Sequence, residues 1–309
     1  MSAEERRRLQ RRVWILRLVA VLVFSVGVLL LVYFTVGRGA TGTSSPSPSP
    51  TAASSTSPSA SPSGSPTAAS PTPSASPSVA VLPPSARSQP VPILMYHVLA
   101  APPGRARYPT LFVSIAAFTQ EVRWLHSHGY HSVTLTQLFD FWSGKGDLPV
   151  KPVVLSFDDG YSNDWTVGGR VLSRYGFAGV LNLVVDNIMP KGGITTQQVN
   201  SLLDRGWELA AHTIHHWDLT TLDAAQLTQE VAGSRRALQR RFHVPVYFFC
   251  YPSGAFNDTV VAAVKAAGFR GATTTIEGPA TRGDAYRLPR IRVDGGETLK
   301  RFVDLLLQR

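Results

Sequence analysis

Short apolar runs alternate with segments of helical periodicity from residue 91 onward, and this alternation restricts the possible fold more than any other feature of the chain. The apolar runs have the length of buried strands. Seven are predicted, at residues 93–98, 131–135, 153–157, 178–185, 208–211, 246–251 and 271–275. Strands that alternate with helices form a parallel sheet. The sequence therefore predicts an α/β fold whose sheet is either open or closed into a barrel.

The helical segments between these runs carry their own start and stop signals. Residue types that cap helix N-termini begin four segments, and glycines follow four. The predicted caps are Ser114, Thr195, Asp223 and Asn257, and the glycines are Gly129, Gly176, Gly206 and Gly268. In parallel α/β folds, functional groups lie at the C-terminal ends of the strands. Residues that directly follow a strand are therefore the first candidates for a site.

The N-terminal part combines a basic tail with an apolar stretch. Residues 1–38 contain seven arginines and two glutamates, which account for +5 of the formal net charge of +10. Residues 18–36 carry no charge and are about as long as a helix that crosses a bilayer. Arginines before such a stretch favour the cytoplasmic side. We expect a cytoplasmic tail at residues 1–17 and a single transmembrane signal-anchor helix at residues 18–36. A cleaved signal peptide is the alternative, although residues 36–40 offer no clear cleavage site.

Residues 37–89 consist mostly of serine, proline, alanine and threonine and contain no acidic residue. Such a composition cannot bury a hydrophobic core, and proline-rich chains are extended. We expect a disordered linker here and one folded domain at residues 90–309, held outside the cytoplasm at the cell membrane. A membrane span beside the arginines argues against a nucleic-acid partner. Cys250 is the only cysteine, so the chain cannot form an intrachain disulfide.

Two carboxylates and two histidines follow predicted strands. Asp158 and Asp159 come directly after the run at 153–157, and His212 and His216 follow the run at 208–211. Two imidazoles and a carboxylate suit zinc and leave a position for water or substrate. The pattern predicts a metal site, although an acidic residue before glycine is also ordinary turn chemistry.

These residues lie in two motifs. Residues 156–160 read S-F-D-D-G, and residues 212–216 read H-T-I-H-H. They resemble the motifs T-F-D-D-G and H-[ST]-x-x-H of the polysaccharide deacetylases with a NodB homology domain, and the resemblance covers about residues 91–307. It implies a deformed (β/α) barrel. It also implies that Asp159, His212 and His216 bind a divalent metal, with Zn²⁺ as first choice and Ni²⁺, Co²⁺ or Mn²⁺ as alternatives, and that Asp158 is the general base.

The third family motif, R-x-P-Y-G, is only partly retained as C-Y-P-S-G at residues 250–254. The resemblance implies that the turn at Ser253 donates a backbone N–H to an oxyanion, and Tyr251 is a further candidate for contact with the substrate. Cys250 replaces the arginine that orients the base in the family. Arg290 is the candidate substitute, with Arg292 or a purely structural arginine as the alternatives.

The late L-x-H motif, which supplies a general acid in the family, has no counterpart after His243. An M-Y-H sequence at residues 95–97 closes the first predicted strand, as in the subgroup that resembles exported poly-N-acetylglucosamine deacetylases. Because the first and last strands of a barrel are neighbours, His97 is predicted to be the general acid. A buried His97 with a supporting role is the alternative.

The resemblance implies metal-dependent hydrolysis of N-acetyl groups on a polysaccharide that contains N-acetylglucosamine, with release of acetate. Peptidoglycan, poly-N-acetylglucosamine and chitin-like polymers are candidate substrates. The alternatives are an esterase for O-acetylated polysaccharides, a catalytically silent module that binds wall glycans, and a glycoside hydrolase. Adjacent carboxylates are poorly placed to flank a glycosidic bond, which argues against the glycoside hydrolase.

Overall fold

The computed structural model describes residues 80–308. The predicted tail at residues 1–17, the predicted membrane span at residues 18–36 and the linker at residues 37–79 lie outside the described residues. Among the helices of residues 80–308, none combines the length and the apolar character needed to cross a bilayer. Residues 80–89, which the sequence assigns to the linker, contact the domain. Backbone hydrogen bonds join Leu82 to Leu148 and Ala80 to Val150.

The residues that the structure describes form eight strands and eight α-helices. The strands are β1 (Ile93–Tyr96), β2 (His131–Ser132), β3 (Pro152–Asp159), β4 (Val180–Leu183), β5 (Glu208–Ala211), β6 (Phe248–Cys250), β7 (Gly271–Glu277) and β8 (Leu288–Arg292). The helices are α1 (Ile115–Ser127), α2 (Leu135–Trp142), α3 (Arg170–Ser173), α4 (Thr196–Leu203), α5 (Ala224–Thr228), α6 (Ser234–Phe242), α7 (Asp258–Ala266) and α8 (Leu299–Leu306). Two π-helical segments, Asp164–Gly169 and Gln229–Gly233, precede α3 and join α5 to α6.

The predicted helix caps are confirmed. The side chains of Ser114, Thr195, Asp223 and Asn257 each accept a hydrogen bond from the backbone N–H three residues later. The last helix, α8, begins at a further cap of the same kind, Thr298, which the sequence analysis did not include. Local side-chain chemistry therefore sets where most of these helices begin.

Seven parallel strands close into a barrel. The sheet runs in the order β1-β8-β7-β6-β5-β4-β3, and β1 also pairs with β3. The predicted parallel α/β barrel is thus confirmed, but its set of strands differs from the predicted set. Strand β2 pairs only with β3, outside the closed ring, and the unpredicted strand β8 completes the ring. Pro289 interrupts the apolar pattern of β8, and it lies beside an irregularity in the β7–β8 register, where a strand tolerates proline.

Side chains that alternate along the strands divide the barrel into an outer and an inner surface. The outer set packs against the helices and includes Leu94, Leu155, Leu181, Leu209, Phe249 and Ile291. The inner set begins with an apolar cluster that includes Ile93, Val154, Val180, Ala210, Phe248 and Leu288. Two to four residues further along each strand, the inner positions are polar and comprise His97, Asp158, Asn182, His212, Cys250 and Arg290. The barrel is therefore apolar at its N-terminal end and polar at the end where the site lies.

Candidate active site

An open cavity of about 590 Å³ lies at the C-terminal ends of the barrel strands. It brings together all eight residues that the sequence analysis assigns to the site: His97, Asp158, Asp159, His212, His216, Tyr251, Ser253 and Arg290. Tyr108, Leu111, Tyr161, Asn187, Thr275 and Arg292 complete the lining. The predicted residues come from strands β1, β3, β5, β6 and β8 or from the loops that follow them, so the barrel itself assembles them.

Asp158 forms a buried ion pair with Arg290. Two guanidinium nitrogens of Arg290 donate to the two carboxylate oxygens of Asp158, each at 2.8 Å, and the side chains are only 1% and 3% exposed. Asn182 Nδ2 donates a further hydrogen bond of 2.7 Å to Asp158. Burial alone would raise the pKa of Asp158, but Arg290 holds that pKa well below its usual range. The carboxylate is therefore ionised across the physiological pH range.

The sequence left open whether Arg290 or Arg292 takes the place of the missing family arginine. The structure places Arg290 against Asp158, whereas Arg292 Nε donates to Asp294 at 2.8 Å. Cys250, which occupies the family's arginine position, lies within 3.3 Å of Arg290 and 3.7 Å of Asp158. The guanidinium thus reaches the carboxylate from β8, and a small neutral side chain on β6 leaves it room.

Asp159, His212 and His216 form a compact set of potential metal ligands. Asp159 Oδ1 lies 3.5 Å from His212 Nε2 and 3.4 Å from His216 Nε2. Ligand atoms about 2.1 Å from a tetrahedral ion are separated by about 3.4 Å, so these two distances are compatible with a bound divalent ion. His212 Nδ1 lies 2.7 Å from the carbonyl oxygen of Cys250, which can only accept a hydrogen bond. Nδ1 therefore carries a proton, and Nε2 faces the other two ligand atoms, as in many metal sites.

The pKa shifts of Asp159 and His216 favour a bound cation, whereas that of His212 opposes one. Burial opposes ionisation of Asp159, but its hydrogen bond with His212 holds the pKa of Asp159 below the usual value. Burial and the nearby His212 lower the pKa of His216, which favours a neutral ring. Burial opposes a charge on His212 as well, yet its contacts with Cys250 and Asp159 raise the pKa of His212. The raised pKa favours a second proton on the His212 ring, at Nε2, and a divalent ion bound there would displace that proton.

A second group of possible ligands, Asp158, His212 and Cys250, also lies close together. Both oxygens of Asp158 accept from Arg290, and the carbonyl of Cys250 orients His212. A cation in this place would compete directly with the guanidinium. The residues therefore fit a metal at Asp159, His212 and His216 and disfavour one at the second group.

Backbone strain is concentrated in the loops that carry the ligands. Asp159 has φ 76°, His216 has φ 58°, and Thr213 between the two histidines has φ 69°. Non-glycine residues avoid this region because Cβ crowds the backbone. Asp159 is followed by Gly160, where a Cβ would lie 2.3 Å from Leu183 Cδ1. Strain of this kind at a site requires support from the surrounding structure.

Glu230 supplies part of that support, and the sequence analysis did not identify it. It is 1% exposed and lies in the π-helical segment Gln229–Gly233. Its Oε2 accepts hydrogen bonds from the backbone N–H groups of Ile214 at 2.9 Å and His215 at 3.0 Å, and its Oε1 pairs with the His215 ring. Glu230 thus holds the turn between His212 and His216, the two candidate histidine ligands. An acidic residue on the mostly apolar buried face of its helix was the available signal.

The other predicted residues line the cavity at varying distance from the two carboxylates. His97 Nε2 lies 3.7 Å from Asp158 Oδ2. Burial lowers the pKa of His97, with the carboxylates of Asp158 and Asp159 opposing the shift. Ser253 is exposed on the cavity wall with φ 52°. Tyr251 is fully buried and donates its hydroxyl to the carbonyl of Tyr286 at 3.0 Å, so that hydroxyl is already engaged.

Glu230→Ala is expected to weaken zinc binding because the turn that presents His212 and His216 loses its acceptor. Losses at such supporting contacts are typically about 10- to 100-fold in metal affinity. Calorimetric titration of zinc into the metal-stripped chain measures the effect, and Glu230→Gln should lose less because its amide oxygen still accepts. The exposed Arg236→Gln on helix α6 is the matched control. Equal zinc affinity in Glu230→Ala and the control would contradict the supporting role.

Comparison with known proteins agrees with this geometry. A family model described as polysaccharide deacetylase matches residues 145–272. YxkH of Bacillus subtilis (strain 168), whose name places it among polysaccharide deacetylases, is 30% identical over 207 residues, which are 67% of this chain and 72% of YxkH. The poly-β-1,6-N-acetyl-D-glucosamine N-deacetylase of Staphylococcus aureus (strain MSSA476) is 24% identical over 196 residues, which are 59% of this chain and 67% of that protein.

A solved polysaccharide deacetylase from Bacillus cereus has the same fold. It superimposes with a TM-score of 0.64 at 29% identity, over 71% of this chain and 69% of that one. The similarity to YxkH extends over more than two thirds of both proteins. The range matched by the family model, residues 145–272, contains the carboxylates and histidines of the cavity. The chain therefore belongs to the polysaccharide deacetylase family and is an enzyme of that family.

Proposed function

We propose that this enzyme hydrolyses N-acetyl groups on an extracellular or cell-wall polysaccharide that contains N-acetylglucosamine, releases acetate, and requires a divalent metal. The observation that carries the proposal is the presence, in one cavity, of two adjacent carboxylates with different partners. The ionised Asp158 forms an ion pair with Arg290, and the adjacent Asp159 faces two histidines. The name of the Staphylococcus aureus relative, a poly-β-1,6-N-acetyl-D-glucosamine N-deacetylase, supports the choice of substrate.

Asp159, His212 and His216 would hold the metal, with Zn²⁺ as first choice and Ni²⁺, Co²⁺ or Mn²⁺ as alternatives. When bound, such an ion polarises a carbonyl oxygen and lowers the pKa of a water molecule. The protein supplies the orientation: the Cys250 carbonyl fixes the His212 ring, and Glu230 fixes the turn before His216.

Asp158 would act as the general base. Its carboxylate is ionised and held in one orientation by Arg290 and Asn182. It would accept a proton from the attacking water while the water oxygen bonds to the acetyl carbonyl carbon. A backbone N–H of the exposed turn at Ser253 would donate to the carbonyl oxygen as that oxygen becomes negative.

His97 would return a proton to the sugar nitrogen as the C–N bond breaks. Because burial favours its neutral form, His97 would first receive the proton that Asp158 removes from water, across the 3.7 Å that separates the two groups. The products are acetate and a glucosamine unit with a free amine. An O-acetyl ester would be cleaved by the same groups, and its better leaving group would need less help from His97.

We also propose that the enzyme acts outside the cytoplasm, as a single-pass membrane protein with its N-terminus inside. The support comes from the sequence alone: the arginines of residues 1–17, the uncharged residues 18–36 and the linker that follows them. This location would bring the cavity to wall and surface glycans.

Acetate release tests the proposed activity directly. The metal-stripped full chain should release little acetate from chitooligosaccharides, peptidoglycan or acetylated xylan, and added zinc should restore release. Asp158→Asn should lower kcat about a hundredfold or more, because the amide cannot accept the proton. Release from acetylated xylan alone would favour the esterase, and new reducing ends would indicate a glycoside hydrolase. Glycan binding by a chain that holds no stoichiometric metal and releases no acetate would indicate a silent binding module.

Substitution of Arg290 tests how the base is kept ionised. Without the guanidinium, burial raises the pKa of Asp158, so the acid limb of the pH profile of kcat/KM should move to higher pH. The shift should be larger in Arg290→Gln than in Arg290→Lys, which retains a cation and tests the idea if Arg290→Gln does not fold. Breaking a buried pair costs roughly 3–5 kcal/mol of stability. Arg292→Gln is the control, and a shift in that variant alone would contradict the assignment.

Cell fractionation tests the proposed location. The full chain should sediment with membranes and be released by detergent but resist high salt, because its anchor is apolar. A chain that lacks residues 1–36 is the matched control and should be soluble. Protease added to intact cells should degrade the full chain, and complete protection from it would refute an extracytoplasmic domain.

A further inference from the structure

Two exposed aromatic side chains stand at the mouth of the barrel, although large apolar groups are normally buried. Tyr108 is 56% exposed and Trp217 is 46% exposed. Tyr108 lines the cavity itself, and Trp217 directly follows the cavity residue His216. Neither ring contributes to the hydrophobic core. Exposed aromatic rings beside a cavity offer flat apolar surfaces for a ligand.

The Trp217 ring has a rigid backing. It stacks on the His215 ring with a centroid separation of 4.3 Å and an interplanar angle of 13°. His215 is held in turn by the buried Glu230 through both its ring and its backbone N–H. One face of the indole is therefore covered by a ring that is itself held in place.

Tyr108 is anchored in a similar way. The Arg107 guanidinium lies over its ring, 5.2 Å from the centroid. The segment that follows, Pro109–Leu111, is bonded to the rest of the domain by backbone hydrogen bonds from Val98 to Leu111 and from Gly295 to Thr110. Both rings are thus supported from one side by a neighbouring cationic or aromatic group.

The order of the strands separates the two rings across the barrel. Tyr108 belongs to the loop that follows β1, and Trp217 belongs to the loop that follows β5. Around the closed ring, β5 is the third strand from β1 in one direction and the fourth in the other. The two loops therefore leave the barrel on opposite sides, with the carboxylates and histidines between them.

We propose that Tyr108 and Trp217 are sugar-binding platforms on opposite sides of the cavity, and that the enzyme deacetylates an internal unit of a glycan that crosses the barrel mouth. This inference rests on the proposed function. Pyranose rings present a flat face of C–H groups that packs against aromatic rings. A glycan chain that crosses the barrel mouth from the β1 side to the β5 side would contact both platforms.

The platforms are tested without turnover by measuring the binding of chitooligosaccharides to the zinc-loaded full chain. That chain carries the Asp158→Asn substitution, which prevents hydrolysis. Trp217→Ala and Tyr108→Ala should each weaken the Kd for the hexasaccharide about tenfold, the loss of one stacking contact. Trp217→Phe should retain most of the affinity because a flat ring remains. Ile115→Ala, at an exposed apolar position on helix α1, is the control. Equal Kd values in Trp217→Ala, Tyr108→Ala and the control would overturn the proposal, and so would failure of the hexasaccharide to bind.

Kinetics and product analysis complete the test in the chain with Asp158 intact. The alanine variants should raise KM for the hexasaccharide with little change in kcat, and mass spectrometry should find the free amine at internal units. Deacetylation confined to the terminal sugar would overturn the proposal. Absence of acetate release would contradict the proposed function, whereas normal release with unchanged KM in both alanine variants would contradict the platforms alone.

Discussion

The buried ion pair between Arg290 and Asp158 is the interaction on which the polar end of the barrel depends. Removing a guanidinium and a carboxylate from water costs several kcal/mol for each ion unless the remaining donors and acceptors find partners. They do so here: Arg290 Nε donates to the Thr274 carbonyl at 2.8 Å, and Nη1 also reaches Ser156 Oγ at 3.1 Å. Asn182 bonds to the carboxylate. These contacts join strands β3, β4, β7 and β8, so the pair fixes the position of the Asp158 carboxylate and connects four strands.

The pair also explains how two adjacent carboxylates acquire different environments. Side chains alternate along a strand, so Asp158 points into the barrel and Asp159 would normally face the helices. The left-handed conformation of Asp159, with φ 76°, breaks this alternation and turns its carboxylate toward His212 and His216. Asn187 Nδ2 donates to the Asp159 carbonyl at 2.9 Å and stabilises the turn. One residue therefore meets a guanidinium and the next faces two imidazoles.

Much of the fold could be predicted because it is encoded locally. Capping side chains such as Ser114 and Asn257 act on backbone groups three residues away, and the apolar runs mark six of the seven barrel strands directly. Strand β8 was not predicted because Pro289 and two arginines interrupt its apolar pattern. Its pairing with β7 also contains a register shift, which a sequence pattern does not show. The weak run at 131–135 was overinterpreted, since β2 is two residues long.

The residues of the candidate site could also be predicted in large part from the sequence. The spacing of the carboxylates and histidines after their strands indicated which groups would meet, and the cavity contains all of them. The contact between Arg290 and Asp158 spans 132 positions and could not be distinguished from one with Arg292 until the strands were in place. Glu230 and Asn182 were missed because each acts on another residue's geometry. Both are polar residues at positions where the surrounding pattern calls for apolar ones.

Cys250 and Arg290 are best understood as one coupled feature. Cys250 Sγ lies 3.3 Å from the Arg290 guanidinium and 3.7 Å from Asp158, so Cys250 and Arg290 occupy neighbouring positions beside the same carboxylate. An arginine at position 250 in addition to Arg290 would bury a second cation beside one carboxylate, leaving one positive charge unpaired at a position with almost no exposure to solvent. A cysteine at 250 without Arg290 would leave Asp158 unpaired instead. The buried carboxylate of Asp158 requires one positive charge beside it, and β8 supplies that charge in this protein. The departure from the family motif at Cys250 is therefore consistent with an ionised carboxylate at Asp158.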